Sequence, residues 1–331
     1  MNKKILSIVV SVYNEEMVLP LFLQTVEEEL QKIKVTRNHI WEYELIFVND
    51  GSQDESKSML DEFAKKNTAI KVVHFSRNFG HESAMIAGID RASGDFIICM
   101  DADLQNPPEE LKRMIAQYEL GYDVVLMARR ENKDAGFRKN MTSKLFYGVF
   151  NAVSSVKFEQ SVSDFFGISK EVADILKRRY REVNRYLRGY IQDIGFRRVI
   201  LEYKAKERAG GHSKYSFHKL FNVALDALTC FSKTPLRAGL YVGGISGILS
   251  FFLILYYGIS YWIHGEGNGM ILLCFFLFLF FTVLFLVLGI MGEYIGVLLE
   301  EVKDRPIYLV KEERNLPSIS VDGKRREEEE E

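Results

Sequence analysis

Over roughly the first 130 residues, short runs dense in apolar side chains alternate with longer stretches where apolar positions recur every three or four residues. The runs at 6–12, 43–48, 70–75, 95–100 and 123–128 read as strands buried on both faces. The stretches at 16–32, 54–65, 80–92 and 107–120 read as helices with one apolar face. Strands alternating with helices predict an α/β fold, with a mostly parallel sheet covered by helices on both faces. Ligands of such sheets bind outside the carboxyl ends of the strands.

The pattern changes in the last third. Residues 240–263 contain no charge, and neither do residues 270–291. Each exceeds the roughly 20 apolar residues a helix needs to cross a hydrocarbon core. The short linker His264-Gly265-Glu266-Gly267-Asn268-Gly269 predicts an antiparallel transmembrane hairpin. Lys233 and Arg237 precede the first span, Lys303 and Arg305 follow the second, and the linker has no Lys or Arg. The positive-inside bias then puts the N-terminal domain and both termini in the cytoplasm; the expected location is the plasma (inner) membrane. The early run 5–13 meets Asn14-Glu15-Glu16 with no small-residue cleavage site, and reads as the first strand rather than a targeting segment.

Two further stripes follow helical spacing. One is Phe217, Leu220, Phe221, Ala224, Leu225, Leu228 and Phe231; the other is Leu145, Phe146, Val149, Phe150 and Val153. Each either lies in the membrane interface or packs on the soluble domain. The expected organisation is a soluble domain over 1–210, an interfacial helix over 211–237, two spans over 238–295 (about 240–263 and 270–291), and a C-terminal tail over 296–331. Exposed apolar helices beside the spans allow a homo-oligomer in the bilayer.

Composition narrows the function classes. A net charge of −2 on 331 residues argues against nucleic acid as the main partner. Cys99, Cys230 and Cys274 lack metal-type spacing and read as reduced thiols.

Candidate chemistry gathers where the strands should end. Asp101-Ala102-Asp103-Leu104-Gln105 follows the run at 95–100. Two hard carboxylates there suit Mg²⁺ or Mn²⁺ bridging a nucleotide diphosphate; Asp103 is the first choice as ligand, Asp101 meets metal or ribose, and Gln105 supports them. The alternative is a turn, since Pro107-Pro108 follows. Asn49-Asp50-Gly51-Ser52 follows the run at 43–48, where Asp50 can accept from the edge of a base; Ser52 or Asp54 can also cap the next helix. Tyr13, Asn14 and Glu15 end the first strand on the same nucleotide side. Arg129-Arg130, Arg138-Lys139 and the run from Arg208 through Ser213 and Lys214 offer cations to phosphates; the bland reading is a solvated basic loop near anionic lipid. Asp164 serves as a base, orients the acceptor, or is a structural acid.

Taken together, Ser7-Ile8-Val9-Val10-Ser11-Val12-Tyr13-Asn14-Glu15-Glu16, Val48-Asn49-Asp50-Gly51-Ser52 and Asp101-Ala102-Asp103-Leu104-Gln105-Asn106-Pro107-Pro108 resemble family 2 glycosyltransferases of the Rossmann-like GT-A fold. Ser76-Arg77-Asn78-Phe79-Gly80, Gly211-His212-Ser213-Lys214-Tyr215 and the terminal hairpin resemble the polyprenyl-phosphate branch, which includes bactoprenol glucosyltransferases and dolichyl-phosphate mannose synthases. The resemblance implies an inverting, metal-dependent hexosyltransferase that moves a sugar from a UDP-sugar to undecaprenyl phosphate at the cytoplasmic face, with glucose first and N-acetylglucosamine second. A GDP-mannose-dependent synthase and a non-catalytic nucleotide-sugar sensor or accessory subunit are the alternatives. Carried over by position, Glu15 and Asp50 contact the nucleoside, and Asp101, Asp103 and Gln105 the metal and diphosphate. Arg129, Arg138, Arg208 and Lys214 serve the phosphates, and Asp164 the acceptor side. Three positions depart from the family pattern: Ser11 where proline is frequent, Asn49 where a second aspartate is frequent, and Phe166-Gly167 where many relatives carry an arginine.

Overall fold

A computed structural model describes residues 3–36, 41–130, 162–182, 185–206, 234–264 and 269–316. The chain divides into two units. The first is a mixed sheet with its helices, and the second carries two long apolar helices.

Five strands anticipated from the apolar runs form as β1 (Lys4–Val12), β2 (Trp41–Asn49), β3 (Ile70–Phe75), β4 (Phe96–Asp101) and β5 (Val124–Arg129). The helices between them are α1 (Leu19–Thr36), α2 (Ser56–Lys66), α3 (His81–Arg91) and α4 (Leu111–Glu119). Then follow β6 (Val162–Ser169), α5 (Lys170–Arg179), α6 (Leu187–Asp193) and β7 (Arg198–Tyr203). The sheet order is β7-β5-β6-β4-β1-β2-β3-β8, where β8 is Val310–Arg314. Strands β4, β1, β2 and β3 run parallel, as do β5 and β7; β6 and β8 are antiparallel to their neighbours. This is the mostly parallel GT-A type of sheet that the sequence implied.

Strand β1 is central, and Ile8, Val9 and Val10 are fully buried. Successive side chains point to opposite faces, so both faces must be covered. On one face, Leu19, Phe22, Val26, Leu30 and Ile33 of α1 join the cluster that contains Ile8 and Val10. On the other, α3 approaches so closely that Gly88 lies against the Val9 side chain. Strand β6 lies between β4 and β5, with Gly167 opposite Ile98. A Cβ at Gly167 would sit 2.3 Å from Phe96 Cζ, so an arginine cannot occupy this position without displacing that ring.

The two apolar segments form α7 (Thr234–His264) and α8 (Gly269–Val302). Tyr241–Ile263 and Phe276–Val302 are long and apolar enough to cross a membrane, with mean hydropathies of 1.9 and 2.4. Gly239 faces Val287 and Gly269 faces Tyr257, so the helices pack antiparallel. Helix α8 runs past the charge-free stretch to include Glu293, Glu300 and Glu301. The stripes at 145–153 and 216–232 lie outside the described residues.

Beyond α8 the sequence suggested only a tail. Instead, β8 adds an antiparallel edge to β3, with Val72 opposite Arg314 and His74 opposite Glu312. Tyr308 stacks on Phe75 at 5.2 Å and donates its hydroxyl to Asp90 at 2.6 Å. The Arg91 guanidinium reaches Glu313 at 2.8 Å. Asn315 Nδ2 donates to the carbonyls of Ala64 and Ile70 at 2.7 and 2.8 Å. Polar anchoring, rather than an apolar face, docks this strand.

Candidate active site

The carboxyl ends of β1 and β2 are zipped together by their loops. Asp50 N–H donates to Val12 O at 2.9 Å. Asn14 takes a left-handed backbone (φ 56°) and donates its N–H to Ser52 Oγ at 3.0 Å, while Gln53 N–H donates to Asn14 Oδ1 at 2.8 Å. Glu15 N–H donates to Ser56 Oγ at 3.0 Å. Tyr13 projects from this loop as an exposed ring. The sequence therefore places Tyr13, Asn14, Glu15 and Asp50 at one edge, and the structure brings them together.

Asp50 is more enclosed than a simple base contact requires. It is buried, and its Oδ1 and Oδ2 accept the N–H groups of Phe79 and Gly80 at 2.6 and 2.9 Å. Burial pushes its carboxyl above the ordinary range, against the pull of those two bonds. An ionised carboxylate offers about four acceptor positions, so a base edge can still be met. Gly51, at φ +68°, packs directly on the Arg77–Asn78 backbone. The turn at 49–52 and the loop at 76–80 thus form one rigid corner.

Beside it, β4 delivers Asp101 opposite Ser11 of β1. Leu104 turns the chain with a φ of 60°, and Asp103, buried, accepts the Gln105 N–H at 3.0 Å on Oδ1. Asn106 is fully buried, with Nδ2 3.4 Å from Asp101 Oδ2. Tyr203 OH lies 3.1 Å from both Asn106 Oδ1 and Ser163 Oγ, and accepts from Arg129 Nε at 3.1 Å. The same guanidinium extends Nη2 to 3.5 Å from Gln105 Oε1. Arg129 is therefore held against the Asp101-to-Gln105 loop by β5 and β7 together.

Because β6 runs antiparallel to β4, its early residues reach the same edge, and Asp164 arrives beside Asp101. Between them stands His81, the first residue of α3. Its Nδ1 lies 2.8 Å from Ser11 Oγ and 3.6 Å from Asp101 Oδ1, and its Nε2 lies 3.9 Å from Asp164 Oδ2. That Nε2 is buried and makes no hydrogen bond. Burial alone would depress the imidazole; Asp101 and Asp164 outweigh it and hold the ring above its usual value. Arg188 of α6 pairs Nε with Asp164 Oδ1 at 2.8 Å. The first residues of α6 also meet Glu82, whose Oε2 accepts the Leu187 N–H at 2.9 Å.

Sequence reasoning missed His81, Arg188, Asn106 and Tyr203. A histidine opening a helix right after Ser76-Arg77-Asn78-Phe79-Gly80 was the one available signal. Asn106 lies inside the 101–108 motif but was given no role there, whereas Arg188 and Tyr203 belong to no motif and join the site only through tertiary contacts. Arg138, Arg208, Ser213 and Lys214 lie outside the described residues.

The donor set suits a hard divalent cation. Asp101 and Asp103 supply carboxylate oxygen and Gln105 an amide oxygen, the ligands such ions prefer. Asp101 is pushed above the usual carboxylate range, first by burial and then by the charges of Asp164 and Asp103, against the pull of His81. A cation would relieve that crowding of negative charge.

Comparison with known proteins agrees with this architecture. Residues 7–176 match the model of glycosyl transferase family 2. The chain is 36% identical over 307 residues to the SfII prophage-derived bactoprenol glucosyl transferase of Shigella flexneri, covering 92% of this chain and 97% of that one. It is 36% identical over 322 residues to the uncharacterized glycosyltransferase YkcC of Bacillus subtilis, covering 96% and 95%. It is 37% identical over 309 residues to the uncharacterized glycosyltransferase sll0501 of Synechocystis, covering 92% and 94%. With a matched domain over half the chain and such kinship along nearly its full length, this protein belongs to glycosyltransferase family 2.

Proposed function

We propose that this enzyme transfers glucose from UDP-glucose to undecaprenyl phosphate at the cytoplasmic face of a membrane that α7 and α8 span. The observation that carries the reading is the meeting of Asp50, Asp101, Asp103 and Asp164 at one sheet edge, in a chain akin to a bactoprenol glucosyl transferase. Lys233, Arg237, Lys303 and Arg305 flank the two helices and support the cytoplasmic orientation.

In this reading the nucleoside lies against Tyr13, Glu15 and Asp50. Asp101, Asp103 and Gln105 hold Mg²⁺ or Mn²⁺, which when bound offsets the charge of the diphosphate. Arg129 approaches the same phosphates from β5. The second pKa of a phosphate monoester is about 6, so the acceptor is already ionised at neutral pH. One of its oxygens bonds to the anomeric carbon as the bond from that carbon to the diphosphate oxygen breaks. The electron pair leaves with UDP, and attack from the opposite face inverts the centre. No side chain need remove a proton. Asp164, clamped by Arg188 and facing His81, orients the acceptor phosphate or a sugar hydroxyl.

The test is a donor screen with purified protein, undecaprenyl phosphate, and Mg²⁺ or Mn²⁺. UDP-glucose should label the lipid, EDTA should stop the transfer, and Asp103→Ala should lower kcat by about a hundredfold or more while membrane insertion persists. Labelling by GDP-mannose alone, or undiminished transfer by Asp103→Ala, refutes this assignment.

A further inference from the structure

A series of polar contacts joins β8 to the nucleoside corner. Arg314 places Nε 2.7 Å from Asp61 Oδ1 of α2, and Nη2 2.7 Å from Glu312 Oε2. Lys57 of α2 holds the other Glu312 oxygen at 2.9 Å. Asp61 Oδ1 lies 3.4 Å from Nε2 of His74, which is 1% exposed on β3. His74 Nδ1 lies 3.0 Å from Nδ2 of Asn49, itself 2% exposed. Asn49 Oδ1 accepts the Ser52 N–H at 2.9 Å, and Ser52 Oγ accepts the Asn14 N–H at 3.0 Å.

The hydrogens along this series are forced. Ser52 N–H is a donor, so the Asn49 amide oxygen faces it and the amide NH₂ faces His74. An NH₂ group only donates, so His74 Nδ1 is an unprotonated acceptor. The single ring proton then sits on Nε2 and points at Asp61. Burial favours this neutral ring and outweighs the opposing pull of Asp61. Protonation at Nδ1 would set two donors against each other, and rotation of the ring once Asp61 is released would turn Cδ2–H toward the Asn49 amide and leave its NH₂ without that acceptor; either change frees the turn at 49–52.

We propose that Arg314, Asp61 and His74 are positioning residues for the nucleoside of the donor. They fix the Asn49 amide and, through it, the turn that presents Asp50. This inference rests on the reading of these strand-end loops as the nucleotide site. It also accounts for asparagine at position 49: an aspartate there would present only acceptors and demand a doubly protonated His74.

The experiment uses the full chain in nanodiscs, with UDP binding by calorimetry, steady-state kinetics, and ¹⁵N spectra of labelled histidine. The chain has six histidines, so His74→Gln assigns the His74 signal. The wild type should show His74 as the Nε2–H tautomer at pH 7.5. Arg314→Ala should weaken UDP binding and raise the donor KM by about tenfold, leave kcat and the acceptor KM within about twofold, and disturb the tautomer signal. Should Arg314→Ala fail to fold, Arg314→Lys, which keeps the charge but loses the fork, should give an intermediate loss. An Nδ1–H or doubly protonated His74 in the wild type overturns the proposal. So does a folded Arg314 variant with unchanged UDP affinity, or one that loses only kcat. If the wild type binds GDP and not UDP, the donor assignment fails, while the tautomer and the GDP affinity of the same variants still decide the relay.

Discussion

Substituting Gly51 by alanine tests the rigid corner at its tightest point. Gly51 sits at φ +68°, where an L side chain costs about 1–2 kcal/mol. A Cβ there would lie 2.5 Å from the Arg77 carbonyl carbon and 2.7 Å from Asn78 N. Both are backbone atoms, so relief requires the 76–80 loop to move by about 1 Å, and overpacking of that kind costs about 1–3 kcal/mol. The total, about 2–5 kcal/mol, corresponds to a fall in thermal midpoint of about 4–20 °C for a domain of this size. The same movement draws the Phe79 and Gly80 N–H groups off Asp50, whose bonds of 2.6 and 2.9 Å hold it in place. UDP binding should therefore weaken by about tenfold or more, since each charge-assisted bond is worth about 1.5–3 kcal/mol. Differential scanning fluorimetry with and without UDP reads both effects. A Gly51→Ala protein that melts within about 2 °C of wild type and keeps its UDP shift would refute the picture of two loops locked together.

Two further outcomes are expected. Arg188→Ala leaves Asp164 beside Asp101 without its cation, and kcat should fall by about 10–100-fold with little change in UDP affinity, measured by steady-state kinetics and calorimetry. Glu44, buried at the opposite end of β2, is desolvated, but bonds from Lys71, Ser7 and Ser93 outweigh burial and hold it below its ordinary value. Its stabilising contribution is thus complete above the unfolded value of 4.5 and lost as pH falls through the lower folded one. Glu44→Gln should accordingly flatten the acid limb of a stability–pH profile, and an unchanged limb would contradict this account.

How much was legible in the chain depended on where each element's energy comes from. Strands β1 to β5 were readable because burial on both faces demands near-continuous apolar runs; residues 70–75, for instance, match β3 as read. Strand β8, Val310-Lys311-Glu312-Glu313-Arg314, carries little apolar signal, because ion pairs to Lys57, Asp61 and Arg91 dock it across more than 200 residues of sequence. Asp50, Asp101 and Asp103 announced themselves by following apolar runs. His81 and Arg188 did not, since a lone histidine and a lone arginine gain meaning only when folding sets them against Asp101 and Asp164. The family departures proved locally coherent: Ser11 meets His81, Asn49 meets His74, and Gly167 makes room for Phe96.

The late return of β8 also bears on how the protein is made. At roughly 5–20 residues per second, β3 leaves the ribosome on the order of ten or more seconds before residues 310–314 do. In that interval its outer edge has no partner, and an unpaired edge is open to pairing with other chains. Strand β8 follows α8 directly in the sequence, so the sheet is completed only after both apolar helices have been synthesised. Order of translation therefore makes the turn at 49–52 one of the last parts of the molecule to acquire its full set of contacts, and a chain cut short within the second apolar helix would carry every acidic motif yet lack the strand whose contacts lead to that turn.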